Sequence, residues 1–307
     1  MRDGFVKVGA ATNEIIVANP LENAKNIIKK INKAHKEQVK VLVFPELSIT
    51  GATCLDLFFY DTLLNDSLKA LDLIRRNTLR KNILVIVGLP LKHNNKLYNV
   101  AAYINKGKIL GFTPKTYFNS TDNKYFSKLE ETVEVIINGN KYLLGTNLLF
   151  KCEELNELVV ASEIGDDLLN PLAPSNYHTL NGATLICNLS ASNEVALKEK
   201  ERLELIKVHS SRLITAYIYS NAGPSESTQD LVFSGHNIIC ENNEVLKSVN
   251  DFKHNLVTSE IDVKKLVYLR NKSQSFTSDL NKKYQTIYFN LNLKEEKLTR
   301  SFPTCSI

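Results

Sequence analysis

The sequence predicts a layered α/β fold that contains a mixed sheet. Short apolar runs alternate with segments of helical spacing through the first half of the chain, a pattern typical of strands covered by helices. Polar turns at residues 105–107 and 138–140 each separate two apolar runs, which predicts hairpins and therefore antiparallel strands as well. The chain has 307 residues, 43% of them hydrophobic, enough to bury the core of one large domain or of two smaller ones.

The first elements are the most clearly marked. Residues 5–11 form an apolar run typical of a strand. Asn19 then predicts a helix cap, because Pro20 follows in the first turn and Glu22 comes three residues after the cap. The continuously apolar residues 41–44 predict a short strand that is buried on both faces.

The remaining elements continue this alternation. We predict helices at residues 63–79 and 194–213. The predicted strands are residues 83–89, 98–104, 108–112, 158–164, 184–189, 215–220, 231–240 and 245–249. From about residue 273 the apolar pattern weakens, so we expect one domain at residues 1–272 and an arm or linker outside the core at residues 273–307.

Composition argues against several classes of protein. Basic residues number 38 and acidic residues 33, for a net charge of +5, and no concentrated basic stripe suggests a nucleic-acid partner. The five cysteines are widely spaced without a CxxC pair, so we expect neither a metal site nor a disulfide framework. No apolar run approaches the roughly 20 residues that span a bilayer, and no cleavable leader is evident, so we expect no membrane association and a cytoplasmic location.

Three positions directly after predicted strands or their flanking prolines could carry chemistry. Glu46 could act as a general base, because a carboxylate behind an apolar wall has a raised pKa. Lys115 could stabilise a developing oxyanion, and Gly165 lies where a sharp turn would expose a nucleophile. Taken separately, each residue also fits a plainer interpretation, namely a capping glutamate, a solvated loop lysine and a turn glycine.

Three longer segments carry a resemblance to a known family. They are FPELSITGATCLDLF at residues 44–58, NYHTLNGATLICNLSASNE at residues 176–194 and SNAGPSESTQDLVFSG at residues 220–235. On these the chain resembles the nitrilase, or carbon-nitrogen hydrolase, superfamily over about residues 3–270. Within that superfamily it is most similar to the N-terminal glutaminase domains of glutamine-dependent NAD+ synthetases.

The resemblance implies a four-layer αββα sandwich with mixed sheets. It also implies a reaction in which a cysteine attacks the side-chain amide of glutamine and the resulting thioester is hydrolysed. By position, Glu46 would be the base, Lys115 the oxyanion lysine, and Gly165 the position of the nucleophile. The resemblance places glutamine-binding residues at Thr121, Asp166, Ser192 and Lys198.

The resemblance also implies partners. The released ammonia would pass to a synthetase domain, in cis or in trans, that amidates a deamido-NAD intermediate. ATP and deamido-NAD would bind there, so we expect no cofactor in this chain. An SGGxDS-like pyrophosphate loop is absent from the 307 residues. Nitrilase-like domains pair across helix faces, so we expect a homo-oligomer.

The sequence departs from the family at the nucleophile. Gly165 stands in SEIGDDL, where the family has cysteine. Asp166 and Asp167 do not replace it, because a carboxylate is a poor nucleophile toward an unactivated amide. Cys187 belongs to a buried strand and Cys54 to a position that is not the nucleophile's in the family, so neither is a credible substitute.

A second departure lies in the loop after Lys115, where Thr121 replaces a tyrosine that contacts glutamine in the family. The two departures together predict a glutaminase-type domain that no longer hydrolyses glutamine. The alternative is a non-catalytic scaffold or oligomerisation module of a synthetase that uses free ammonia. A weaker third interpretation is an amidase with a relocated nucleophile.

Overall fold

The computed structural model describes residues 4–274, 276, 283–293 and 298–300. In this part of the chain the strands are β1 (Phe5–Ala11), β2 (Val41–Val43), β3 (Leu84–His93), β4 (Lys96–Asn105), β5 (Lys108–Pro114), β6 (Val133–Ile137), β7 (Asn140–Leu144), β8 (Leu148–Cys152), β9 (Val159–Ile164), β10 (Leu185–Ser190), β11 (Ala216–Asn221), β12 (Asn237–Glu241), β13 (Glu244–Val249), β14 (Leu256–Asp262) and β15 (Gln285–Phe289). The helices are α1 (Pro20–Lys36), α2 (Asp61–Asn77), α3 (Asp122–Tyr125), α4 (Pro174–Leu180), α5 (Lys198–Arg212) and α6 (Val263–Lys272).

The strands form two mixed sheets. The first has the order β14-β1-β2-β3-β4-β5-β7-β6, and the second has the order β13-β12-β11-β10-β9-β8-β15. The pairs β1–β2 and β2–β3 are parallel in the first sheet, as are β9–β10 and β10–β11 in the second. The hairpin β4–β5 and the hairpin β6–β7 are antiparallel, which confirms the two hairpins predicted from the polar turns.

The layers follow from where the apolar side chains point. Val8 and Val43 of the first sheet share one buried cluster with Val160 and Leu189 of the second, so the two sheets pack face to face. On the outer face of the first sheet, α1 and α2 are buried in a second cluster. On the outer face of the second sheet, Ile206 of α5 belongs to a third cluster. The fold is therefore the expected αββα sandwich.

The start of α1 has the predicted cap. The Asn19 side chain accepts a hydrogen bond from the Glu22 backbone N–H at 3.3 Å, and Pro20 is the first helical residue. The predicted bounds of two other elements were too wide. Helix α5 begins at Lys198 rather than residue 194, because Leu197 has a left-handed backbone with φ of 70°. The strand expected at residues 231–240 forms only at Asn237–Glu241.

The C-terminal region corrects one expectation. Strand β15 pairs in parallel with β8 at the edge of the second sheet, and Phe289 and Leu291 are buried in the core between the sheets. The expectation that residues 273–307 lie outside the core is therefore wrong for this stretch. The division of the chain at residue 272 stays a prediction, and residues 301–307 are outside the described residues.

Within the described residues, none of the helices is both long enough and apolar enough to cross a membrane.

Candidate active site

Gly165 lies on a turn that directly follows β9. Its φ is +54°, a left-handed conformation that glycine adopts readily and other residues rarely. Asp167, two residues on, is fully buried and accepts hydrogen bonds from the backbone N–H groups of Ile164 at 2.9 Å and Tyr117 at 2.7 Å. Through these two hydrogen bonds, the Asp167 carboxylate connects the turn to the segment that follows Lys115. Burial raises the pKa of Asp167 to about 8, although both N–H groups favour the charged form.

A polar network behind the turn holds its backbone. The Asn188 amide on β10 donates to the Gly165 carbonyl at 3.2 Å and to the Tyr217 hydroxyl at 3.0 Å. That hydroxyl in turn donates to the Glu163 carboxylate, whose other oxygen accepts from the backbone N–H of Ser175 at 3.0 Å. All of these groups are buried, so the conformation at Gly165 is set by contacts from several elements.

Glu46 follows β2 and is 5% exposed. One carboxylate oxygen, Oε1, accepts from the Asn99 amide at 2.6 Å and from Lys115 Nζ at 2.9 Å. The other, Oε2, accepts from the backbone N–H of Ala191 at 3.1 Å. These partners come from both sheets, so the carboxylate bridges the sandwich at one end.

Lys115 follows β5 and is 3% exposed. Besides its contact with Glu46, its Nζ lies 2.8 Å from Oδ2 of Asp122, the first residue of α3. The ammonium group has three N–H donors, and these two carboxylates accept from two of them. One donor therefore remains for a ligand.

The buried charges shift one another's protonation. Burial raises the pKa of Glu46, and the Asp122 carboxylate adds to this, while Lys115 opposes it. Burial alone would lower the pKa of Lys115, but the carboxylates of Glu46 and Asp122 raise it above its ordinary value. Two carboxylates thus share one ammonium group, which stays protonated.

Gly165 completes this group. A β carbon added to it would lie 2.5 Å from Glu46 Oε2 and 3.2 Å from Lys115 Nζ. The structure therefore brings together the three positions that the sequence predicted, with Gly165 facing both Glu46 and Lys115. In this arrangement a side chain at position 165 would project directly between a proton acceptor and a proton donor.

A cavity of about 350 Å³ opens in front of the three residues. The four other predicted residues line it, namely Thr121, Asp166, Ser192 and Lys198. The Lys198 ammonium donates to Asn193 Oδ1 at 2.7 Å, and Asp166 accepts from the Asn119 amide at 3.0 Å. Burial and the nearby Arg202 lower the pKa of Lys198. The roles of Thr121, Asp166, Ser192 and Lys198 in binding glutamine remain predictions.

Among the described residues, none that lines this cavity is a cysteine. The four cysteines in the described part of the chain are buried and free: Cys54, Cys152, Cys187 and Cys240. Burial raises the pKa of the Cys54 thiol to about 12 and raises that of Cys187 further, so neither forms the reactive thiolate at neutral pH. Cys305 is outside the described residues.

Sequence reasoning missed three residues of the site. Asn99 and Asp122 contact the Glu46–Lys115 pair directly, and Tyr125 lines the cavity four residues after the position where a tyrosine was expected. Asn99 gave no signal, since an asparagine in a strand has many structural uses. Asp122 carried a weak signal, because it is the first carboxylate after Lys115.

Metal chemistry has no obvious ligand set here. Over residues 4–274, 276, 283–293 and 298–300, no three or more His, Cys, Asp or Glu side chains are grouped so that they could hold an ion.

The fold and the site together define an αββα protein with a buried glutamate and lysine around a strand-end turn. The carbon-nitrogen hydrolase family model matches residues 7–270, and the chain belongs to this family. It is 32% identical over 288 residues to the glutamine-dependent NAD(+) synthetase of Mycobacterium bovis, covering 92% of this chain and 42% of that protein.

Solved structures of other proteins have the same fold. The glutamine-dependent NAD(+) synthetase of Cytophaga hutchinsonii superimposes with a TM-score of 0.75 at 26% identity, over 84% of this chain and 43% of that one. A Saccharomyces cerevisiae protein from branch 10 of the nitrilase superfamily shares the fold with a TM-score of 0.69 at 15% identity, over 89% of this chain and 95% of that one. The chain thus spans less than half the length of the two synthetases.

Proposed function

We propose that this chain is a glutaminase-type domain of an NAD+ synthetase that has lost hydrolysis of glutamine. One observation carries the proposal: Glu46 and Lys115 form a buried pair 2.9 Å apart around Gly165, and that position offers no nucleophile. A carbon-nitrogen hydrolase needs an attacking atom between its base and its lysine. In a serine protease, removal of the nucleophile lowers kcat by about 10⁶-fold, and we expect a loss of similar order here.

Other side chains in the cavity do not replace the missing thiol. Thr53, Thr121 and Ser192 line the cavity, but none of their hydroxyl groups has a described hydrogen bond to Glu46. Activation of a hydroxyl requires a base within hydrogen-bond reach. An amidase with a relocated nucleophile is therefore less well supported than an inactive glutaminase-type domain.

A second candidate function is a scaffold with no catalytic role. It is favoured by the position of the Glu46 carboxylate, which takes up the space that a side chain at Gly165 would need. In this version the domain serves as an oligomerisation or docking platform, and the synthetase takes free ammonia from solution.

The proposals about the rest of the protein rest on the names of the relatives and on the fraction of their length that this chain covers. We propose that a synthetase region, in cis or in trans, binds ATP and deamido-NAD, while this domain requires no cofactor of its own. We also propose that the domain forms a homo-oligomer in the cytoplasm. Exposed apolar side chains on α5, Leu205 and Val208, support an interface on that helix.

Ammonia release from glutamine tests the proposal. The wild-type chain should release none above background, and Gly165→Cys should gain activity if Glu46 can move aside. Gly165→Ala is the matched control, because it adds a β carbon without a thiol. Ammonia release by the wild type would refute the loss of hydrolysis. Failure of Gly165→Cys to gain activity would favour the scaffold.

A covalent probe gives an independent readout. A glutamine-like chloroketone should label Gly165→Cys at residue 165 and leave that residue unmodified in the wild type. Peptide mass spectrometry locates the adduct. An adduct at another residue of the wild-type cavity would support the relocated nucleophile instead.

A further inference from the structure

A second cavity, a cleft of about 710 Å³, lies on the side of the first sheet that the helices cover. It is formed by the C-terminal half of α2, the turn between β4 and β5, and the tip of the β6–β7 hairpin. Among the described residues, none lines both this cleft and the cavity at Glu46. Its volume falls within the range of small-molecule sites, about 300–1,000 Å³.

Basic side chains dominate the charge of the cleft. The charged residues of its lining are four basic and one acidic: Arg75, Arg76, Lys108, Lys141 and Asp72. Glu134 does not line the cleft but pairs with Lys141 at 2.8 Å. Four positive charges against these two negative ones leave a net charge of +2. An anionic group is therefore the kind of ligand that the charge of the cleft favours.

Asp72 holds the two arginines in place. Its Oδ1 accepts from Arg75 Nε at 2.9 Å and from Arg75 Nη2 at 2.7 Å, and its Oδ2 lies 2.7 Å from Arg76 Nε. Arg75 Nη1 also donates to the Gly107 carbonyl at 2.6 Å, which connects α2 to the β4–β5 turn. Because Arg76 meets Asp72 through Nε, both of its terminal nitrogens keep their N–H groups for a ligand.

Arg76 and Lys108 together suit a phosphate group. The two terminal nitrogens of a guanidinium form a planar fork that matches two oxygens of one phosphate. The Lys108 ammonium adds a compact charge with three N–H donors, and it has no described hydrogen bond or ion pair with another described residue. The cleft therefore offers a fork and a point charge from two different elements, α2 and β5.

The inner part of the cleft is apolar. Leu71, Ile109 and Ile137 line it and are buried in the cluster between α2 and the first sheet. Tyr142 also lines it, with a partly exposed ring that packs edge-on against Phe112 at 6.0 Å between ring centroids. A free phosphate ion would leave this apolar part unfilled. A ligand that joins an anionic group to a flat apolar body contacts both parts.

We propose that the cleft between α2 and the β6–β7 hairpin binds a phosphate ester with a flat apolar body, such as a nucleoside monophosphate. The phosphate contacts Arg76 and Lys108, and the body packs between Tyr142 and the buried aliphatic side chains. This site is independent of the proposed loss of glutamine hydrolysis, because none of its residues contacts Glu46 or Lys115 in the described part of the chain.

Titration of three probes into the wild-type chain, followed by NMR, tests the proposal. AMP carries the phosphate and the flat body, adenosine carries only the body, and inorganic phosphate carries only the charge. AMP should bind about tenfold or more tightly than either fragment, because each fragment lacks one of the two sets of contacts. Added salt should weaken AMP and leave adenosine unchanged. An affinity for AMP no greater than that for adenosine or for phosphate would overturn the proposal.

Substitutions of exposed side chains locate the phosphate. Arg76→Gln and Lys108→Gln each remove one cation from the cleft and should weaken AMP about tenfold. Lys69→Gln is the matched control, because Lys69 is exposed on the same helix, pairs with Asp66 and does not line the cleft. An equal loss of AMP affinity in Lys69→Gln would show a general attraction of anions and would overturn the site.

Tyr142→Ala locates the flat body. It should weaken AMP about fivefold or more and leave the affinity for inorganic phosphate unchanged, because only the body of AMP packs against the ring. Equal losses for the two ligands would contradict the placement of the body. None of these titrations depends on ammonia release, so the phosphate ester site and the loss of hydrolysis can fail separately.

Discussion

Oε2 of Glu46 lies 2.5 Å from the point that a β carbon on Gly165 would occupy. The carboxylate is held there by the Ala191 backbone N–H and, through its other oxygen, by Asn99 and Lys115. The Glu46 carboxylate and any side chain at position 165 would therefore compete for one space. With glycine at position 165 the carboxylate occupies this space, and a cysteine there would require the carboxylate to move.

Gly165→Ala should destabilise the fold more than Gly139→Ala does. Both glycines have positive φ, +54° and +77°, so both variants incur a backbone penalty of about 1–2 kcal/mol. Of these two, only the β carbon at Gly165 meets another group, since no atom of the described residues lies within 4 Å of the one at Gly139. Overpacking of that kind adds about 1–3 kcal/mol. Urea unfolding measures the difference.

A double-mutant cycle tests whether the contact between the Glu46 carboxylate and the added β carbon causes the extra loss of stability in Gly165→Ala. In a Glu46→Ala background the cost of Gly165→Ala should fall to that of Gly139→Ala. An unchanged cost in that background would mean that the backbone, not the carboxylate, opposes a side chain at this position.

Lys115→Met should lower the free energy of unfolding by about 3–5 kcal/mol at pH 7, because it leaves Glu46 and Asp122 buried without their counter-charge. The loss should be smaller at pH 5 than at pH 8, since protonation of a carboxyl relieves the repulsion. Lys141→Met is the control. Lys141 forms an exposed ion pair with Glu134, and the loss of that pair should not change stability measurably. Equal effects of the two variants would contradict this account of the cluster.

Glu226→Gln should make stability less dependent on pH. Burial raises the pKa of Glu226 to about 8 in the folded chain. From about pH 4.5 to pH 8 the folded state therefore holds a proton that the unfolded state has lost, and stability falls as pH rises, by up to about 1.4 kcal/mol per pH unit. Glutamine mimics the protonated acid.

Thermal unfolding at several pH values checks this. The Glu226→Gln variant should match the wild type near pH 4.5 and exceed its Tm at pH 8. A residual slope of the same sign is expected from Asp167, whose pKa is also raised to about 8. A wild-type Tm that rises from pH 5 to pH 8 would contradict both assignments.

Phe289→Ala should destabilise the domain by about 3–5 kcal/mol, because Phe289 is buried between the sheets. Tyr288→Ala is the matched control in the same strand, where the side chain is 57% exposed, and it should have little effect. Urea unfolding compares the two variants. If they have equal and small effects, β15 is dispensable and residues 273–307 behave as an arm outside the core.

The sequence predicted those parts of the fold that local chemistry marks. The cap at Asn19 was recognisable because it needs a side-chain acceptor at one residue. The turns at Gly107 and Gly139 were recognisable because each needs a positive φ at two consecutive residues. Strand β15 was not recognisable, because it is an edge strand with one fully buried side chain in five residues. Its place depends on pairing with β8, which lies more than 130 residues earlier in the chain.

The residues of the site likewise fall into two groups, those that the sequence identified and those that only the structure revealed. Glu46, Lys115 and Gly165 could be assigned from their motifs, because each follows a strand and stands in a segment that resembles the family. Asn99 and Asp122 could not. Asn99 matters through a 2.6 Å contact with Glu46, which lies far from it in sequence, and Asp122 through a 2.8 Å contact with Lys115 that depends on how the loop between them folds.

By itself the sequence determined the layered α/β class with a mixed sheet and the absence of a thiol at position 165, because residue identity and short-range pattern suffice for these. The αββα arrangement and the assignment of Glu46 and Lys115 were expected from the resemblance to the family. Only the tertiary structure decided that the Glu46 carboxylate takes up the space beside Gly165 and that a basic cleft lies between α2 and the β6–β7 hairpin. Both depend on how side chains from elements far apart in the chain pack together, and no local pattern records such packing.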